Sequence, residues 1–197
     1  AGLMRQEAFW EKLYRAGGAT YDWHPGYDDL RPLLDSYFEE PLRAGTRVLH
    51  VGCGTSAVTE GLWCDGFRSV CNIDFSEAAV QLMAQRWQRL AAEAEAANDP
   101  SAESMQRGMQ WLRMDAADLS MLENATFDLV LEKNTLDVML SGEGDDAVAA
   151  SERGRAALRE FHRVLAPEGL FVSVAYVERR RAAFLRCGGL FHVEECR

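Results

Sequence analysis

The chain has 197 residues, 48% of them hydrophobic and 26% charged, a profile that fits one soluble globular domain with a sizeable core. Asp and Glu number 31 against 21 Lys and Arg, giving a net charge of −10. That balance argues against a broad phosphate-binding surface, so no nucleic-acid partner is expected, and it suits a basic partner or cationic substrate.

No apolar run is long enough to span a membrane, and the N-terminus carries charged residues where a signal peptide would be apolar. Five cysteines (Cys53, Cys64, Cys71, Cys187, Cys196) and four scattered histidines lack metal-ligand spacing. Reduced thiols, a cytoplasmic location and no structural zinc are the expectation.

Residues 1–16 read as an amphipathic helix with Phe9, Trp10, Leu13 and Tyr14 on one face, ended by Gly17-Gly18. The loop from Thr20 to Tyr27 is dense in aromatics; Tyr21, Trp23 and Tyr27 can wall an apolar or cationic ligand, or pack under the loop. A second helix covers Asp28 to Glu40. Arg47 to Val51 is a β-branched, apolar strand. The turn Gly52-Cys53-Gly54 follows, and a helix runs from near Thr55 to Asp65. Strand two, Ser69 to Asp74, ends in an acid. Ser76-Glu77 opens a long helix to about Ala97, with Val80, Met83, Trp87 and Leu90 inward. The segment 98–108 reads as a polar surface excursion. Strand three is Met109 to Met114, followed by Asp115-Ala116. Strand four, Phe127 to Glu132, is almost wholly apolar, hence buried on both faces. A Gly- and Asp-rich loop, Ser141 to Asp146, precedes a helix from about Ala147 to Leu165. Pro167-Glu168-Gly169 turns into strand five, Leu170 to Tyr176. A basic helix, Glu178 to Cys187, and a sixth strand, Leu190 to Glu194, complete the pattern.

Alternating strands and helices imply an α/β fold, a Rossmann-like doubly wound and mostly parallel sheet. Right-handed crossovers put strands one to three on one side and strand four on the other. Ligands bind at the carboxyl ends of such strands near the switch point. Gly52, Asp74, Asp115 and Lys133 all stand at or just beyond strand ends. The two glycines admit positive φ and a close ligand, the following helix start offers free N–H groups, and Asp74 can accept both hydroxyls of a ribose.

These features resemble the class I (seven-strand) S-adenosylmethionine-dependent methyltransferases over nearly the whole chain. Val48 to Thr55 resembles their glycine-rich first motif, Asp74 their ribose-binding acid, and Asp115-Ala116 the pair beside the adenine. Phe127 to Glu132 resembles the fourth-strand motif, and Arg163 to Gly169 the turn before strand five. Phe9-Trp10-Glu11-Lys12-Leu13-Tyr14, Tyr21-Asp22-Trp23 and Leu131 to Asp137 are similar to the eukaryotic lysine methyltransferases of elongation factor 1-alpha and citrate synthase. The resemblance implies S-adenosylmethionine as cofactor. It implies Trp10, Tyr14, Trp23, Gly52, Gly54, Asp74, Phe75, Asp115, Ala116, Glu132 and Lys133 at that cofactor. Glu132 and Asp137, at the exit of strand four, are the candidates to orient the acceptor; the alternatives are that Glu132 pairs with Lys133 or a local arginine and that Asp137 caps a helix. A monomer acting on a protein with a basic target site is expected, the latter in keeping with the net negative charge. The sequence departs from the pattern at Asn134, where the subgroup usually has Gly, and at His50, where an acid is common. The family sheet ends in a hairpin of strands six and seven; with one candidate strand before Arg197, that hairpin is expected to be incomplete, as in a fragment. The chain is read as one methyltransferase domain, with residues 1–45 a helical and aromatic cap on a cofactor-binding core of residues 46–197.

A lysine acceptor must lose its proton before attack, and an apolar aromatic pocket lowers its pKa. Three alternatives stay open at this level. One is a small-molecule methyltransferase on the same scaffold. Another is an NAD-type dinucleotide oxidoreductase, since Gly52-x-Gly54-x-x-Ala57 with Asp74 fits that fingerprint too. The third is a catalytically inert cofactor-binding protein.

Overall fold

A computed structural model describes residues 4, 6–16, 25–141, 145–176, 178–187, 189–192 and 194. Helices α1 (Glu7–Arg15), α2 (Tyr27–Tyr37) and α3 (Glu40–Arg43) precede strand β1 (Arg47–Val51). Then come α4 (Val58–Cys64), β2 (Ser69–Asp74), α5 (Glu77–Ala96), α6 (Ala102–Gly108) and β3 (Met109–Arg113). The chain continues through β4 (Phe127–Lys133), α7 (Thr135–Met139), α8 (Asp145–Val164), β5 (Leu165–Val174) and α9 (Glu178–Cys187).

Among the described residues five strands form one parallel sheet in the order β3-β2-β1-β4-β5. β1 is central because Val48, Leu49, His50 and Val51 are all buried, so both of its faces must be covered. Alternation along the strands divides the core. Val48, Val70, Leu129 and Leu131 face a cluster with Leu34, Leu62, Phe67 and Trp87. Leu49, Val51, Ile73 and Val130 face a second one with Leu119, Leu136, Leu158 and Phe161. After β3 the chain returns past β1 to add β4 on its other side, so the order in which strands are laid down reverses between β1 and β4. The carboxyl ends of both strands open there onto a shared crevice.

Several elements differ from the sequence reading. α6 lies in the stretch read as an excursion. Only Ala102 and Met105 anchor it, too few to stand out in a polar segment, and the Met105 carbonyl accepts a hydrogen bond from Trp87 Nε1 at 2.8 Å. α4 begins at Val58, three residues later than expected, because 55–57 continue the turn. β5 runs through Pro167-Glu168-Gly169 as a bulge: Glu168 has φ +63° and the register shifts between Phe127 and Leu129. α8 starts at Asp145, inside the stretch read as a loop; 142–144 lie outside the described residues. The described residues of the expected sixth strand, Leu190–His192 and Glu194, form no strand. The Phe191 ring instead packs on Phe171 and His162, at 4.9 and 5.7 Å, so the apolar side chains there serve as a plug.

Candidate active site

The crevice is built around the turn after β1. Gly52 and Gly54 both take positive φ, +61° and +49°. Neither has room for a side chain: a Cβ on Gly52 would lie 2.1 Å from Thr135 Oγ1, and one on Gly54 would lie 2.7 Å from the Tyr14 hydroxyl. α7 and α1 therefore both close on the turn. Thr135 Oγ1 donates to the Val51 carbonyl at 3.1 Å, which fixes the first of these contacts.

Asp74, at the tip of β2, ties the turn to the next helix. One carboxylate oxygen accepts from the Gly54 N–H and the other from the Ser76 N–H, each at 2.9 Å. Burial at 5% exposure still wins over these two donors and pushes its pKa up to about 6. The Cys53 thiol, buried in the same turn, is pushed well up by burial and by the Asp74 charge, so it is no nucleophile at neutral pH.

α1 is held over this floor by its acids. Glu11 Oε2 accepts from Ser76 Oγ at 2.6 Å and from the Ala78 N–H at 3.1 Å, at the start of α5. Those bonds and the Arg15 ion pair lower the Glu11 pKa to about 2. Glu7 pairs with Arg113 at the end of β3 at 2.8 Å. The helix thereby places Trp10 and Tyr14, stacked with ring centroids 5.8 Å apart, against the turn. Burial and the Asp74 carboxylate raise the Tyr14 pKa, so its hydroxyl keeps its proton.

Trp10, Tyr14, Gly52, Gly54, Asp74, Phe75, Asp115, Ala116 and Lys133 all line one cavity. Beyond Phe75, Asp115 pairs with Arg153 of α8 at 2.6 Å and accepts from the Ala117 N–H. Trp23 and Tyr21 lie outside the described residues. Tyr27 turns away: its hydroxyl donates to Asp65 at 2.8 Å and its ring fills the space left by Gly61.

Glu132 and Asp137 both engage an arginine, the pairing left open for Glu132, rather than standing in the cavity wall. Glu132 is fully buried beneath the cavity rather than in its wall, where it meets Arg181 of α9 and Ser173 and accepts from the Leu136 N–H at 3.1 Å. Asp137 pairs with the same Arg181 at 2.9 Å and accepts from the Tyr176 N–H at 2.7 Å. The two acids flank one buried guanidinium, which α9 carries back to the exit of β4.

Sequence reasoning missed Thr135, Met114, Val138, Met139 and Arg153, which also line the cavity. Thr135 had a signal, since an obligatory glycine implies a close neighbour; Arg153 had none, because nothing local marks which helical face meets β3. His50, the departure from the family pattern, lines the cavity and lies 3.2 Å from both Thr59 Oγ1 and Asn72 Oδ1, in a buried polar group spanning β1, α4 and β2.

The chain is similar to known proteins in sequence and in fold. The methyltransferase domain family matches residues 49–173. The bovine (Bos taurus) EEF1A lysine methyltransferase 4 is 33% identical over 175 residues, covering 86% of this chain and 60% of that protein. The mouse (Mus musculus) eEF1A lysine and N-terminal methyltransferase is 29% identical over 171 residues, covering 86% of this chain and 21% of its own length. The chain thus spans less than two thirds of the curated relatives it matches. In structure it is similar to a SAM dependent methyltransferase from Aquifex aeolicus, with a TM-score of 0.60 at 16% identity over 93% of this chain and 88% of that one, a likeness of fold.

Proposed function

The chain belongs to the methyltransferase domain family, and from that premise we propose that it is an S-adenosylmethionine-dependent protein-lysine N-methyltransferase acting on a basic site of a translation elongation factor or a similar protein. The observation that carries this reading is the buried Asp74 carboxylate at the tip of β2, facing a side-chain-free glycine turn under a stacked Trp10–Tyr14 pair. Family membership weighs against the dinucleotide oxidoreductase left open by the sequence, and the similarity to the EEF1A lysine methyltransferase favours a protein acceptor over a small molecule.

The residues present fit such a cofactor. Asp74 retains lone pairs for ribose hydroxyls beyond the two backbone bonds it accepts. Gly52 and Gly54 let the turn take the positive φ that brings it to the cavity wall, with Thr135 and Tyr14 packed where side chains would be. Phe75, Asp115 and Ala116 at the β2 and β3 tips form the base end, while Lys133 and the β4 exit form the opposite end. When bound, S-adenosylmethionine supplies an electrophilic methyl group. The protein's part is to orient an amine against it and exclude water. Val138 and Met139 of α7, with Trp10, give apolar walls that disfavour an ammonium and so help a lysine shed its proton. Glu132 and Asp137, engaged by Arg181, act in this reading by holding the β4–α7 corner in shape. The chain works as one domain, with residues 1–45 a cap over the core of 46–197.

The test is incubation of the protein with tritiated S-adenosylmethionine and purified elongation factor, followed by mass spectrometry of labelled peptides. Methyl-lysine in the factor, absent with Asp74→Ala, supports the reading. Label on an unrelated small molecule only, or no transfer from a protein that binds the cofactor, refutes the lysine assignment.

A further inference from the structure

Asn134 carries a buried, unpartnered carboxamide on a left-handed backbone. It follows the last residue of β4 with φ +61° and ψ 0°, in the left-handed region that asparagine tolerates better than other side chains but glycine adopts at less cost. It is 7% exposed, yet neither its Oδ1 nor its Nδ2 has a hydrogen-bond partner, and both atoms are shielded from water. Buried amides without partners are costly, and a strained backbone beside one doubles the anomaly. The residue also lines the cavity. A donor and an acceptor left unpaired at a binding wall ask for a ligand that brings both.

The sheet order says which part of a ligand arrives there. In the methyltransferase reading the base and ribose sit over β3 and β2, at Asp115 and Asp74, and β4 flanks β1 on the opposite side. A nucleoside seated on Asp74 therefore extends its 5′ substituent across the Gly52 turn toward Asn134. In S-adenosylmethionine that substituent ends in an α-ammonium and an α-carboxylate, one donor and one acceptor. We propose that the Asn134 carboxamide binds this amino-acid end, accepting from the ammonium through Oδ1 and donating to the carboxylate through Nδ2. The proposal rests on the methyltransferase reading of the cavity. It assigns to this chain a side-chain contact that a glycine at the same place cannot make.

The test is calorimetric titration of the apoprotein, Asn134→Gly and Asn134→Asp with S-adenosylhomocysteine and with 5′-methylthioadenosine, the nucleoside thioether lacking the amino-acid end. Glycine suits φ +61°, so Asn134→Gly should melt at or above the wild-type temperature. S-adenosylhomocysteine should bind it about tenfold more weakly (roughly 1.4 kcal/mol), and Asn134→Asp, which keeps the acceptor for the ammonium but loses the donor to the carboxylate, should also bind this ligand more weakly than wild type. 5′-Methylthioadenosine should bind all three alike. Unchanged S-adenosylhomocysteine affinity in both variants overturns the proposal while leaving the cofactor reading intact, and so does equal weakening of both ligands. Failure of the wild type to bind either ligand overturns the proposal and the cofactor reading together.

Discussion

Asp74→Asn should make the apoprotein more stable while destroying its binding site. In the folded chain the Asp74 pKa is raised from 3.8 to about 6, because burial outweighs the N–H groups of Gly54 and Ser76. A carboxyl whose folded pKa lies above its unfolded value is a burden when ionised. The cost is absent below the unfolded pKa, grows as pH rises through the window from about 4 to about 6, and is fully present at neutral pH. The difference of roughly two pH units corresponds to about 3 kcal/mol. Asparagine removes the charge but can accept only one of the two backbone bonds, a loss of about 1 kcal/mol. The net expectation is a gain of about 2 kcal/mol at pH 7.5, or a melting temperature about 4–8 °C higher for a chain of this size. Urea denaturation of both proteins from pH 4.5 to 7.5 measures it. The advantage of the variant should shrink as pH falls through 6. A variant less stable than wild type at pH 7.5, by an amount independent of pH, would refute the account of a strained, functional carboxylate.

Three further perturbations test other parts of the structure. Gly52→Ala should cost about 2–3 kcal/mol in urea denaturation, from its positive φ and the overlap with Thr135, whereas Gly189→Ala, with the same φ and open space around it, should cost only about 1 kcal/mol. Glu11→Gln should weaken the docking of α1 by about 1 kcal/mol, seen as faster hydrogen exchange in α1 and a loss of ligand affinity. In wild type the same loosening should appear as pH falls from about 4.5 toward 2, since the Glu11 pKa is depressed and its contribution exists only while it is ionised. Arg181→Met should destabilise by about 3 kcal/mol because it strands Glu132, and adding Glu132→Gln should recover part of that loss in the same denaturation assay.

The sheet was legible because its signals are local. β1 and β2 follow from β-branched runs bounded by Gly52 and by the helix cap Ser76, whose Oγ accepts from the Ala79 N–H. The floor of the site was legible for the same reason: Gly52, Gly54, Asp74 and Asp115 mark strand ends. What the sequence could not show depends on distant partners. Glu132 sits at the end of an apolar strand, and only the arrival of Arg181 from α9 explains why its charge is tolerated and why it does not face the crevice. Pro167-Glu168-Gly169 reads as a turn between elements, yet pairing with β4 carries the strand through it as a bulge. The residues 190–192 have the composition of a strand, and Phe191 is used for packing instead.

The central claim is that the crevice above β1 and β2 binds a methionine nucleoside. The most direct test is calorimetric titration of the wild-type protein with S-adenosylhomocysteine and with NAD. One S-adenosylhomocysteine should bind per chain with a dissociation constant in the micromolar range, about −8 kcal/mol, and NAD should give no heat. Binding of NAD, or saturable binding of neither, would contradict it.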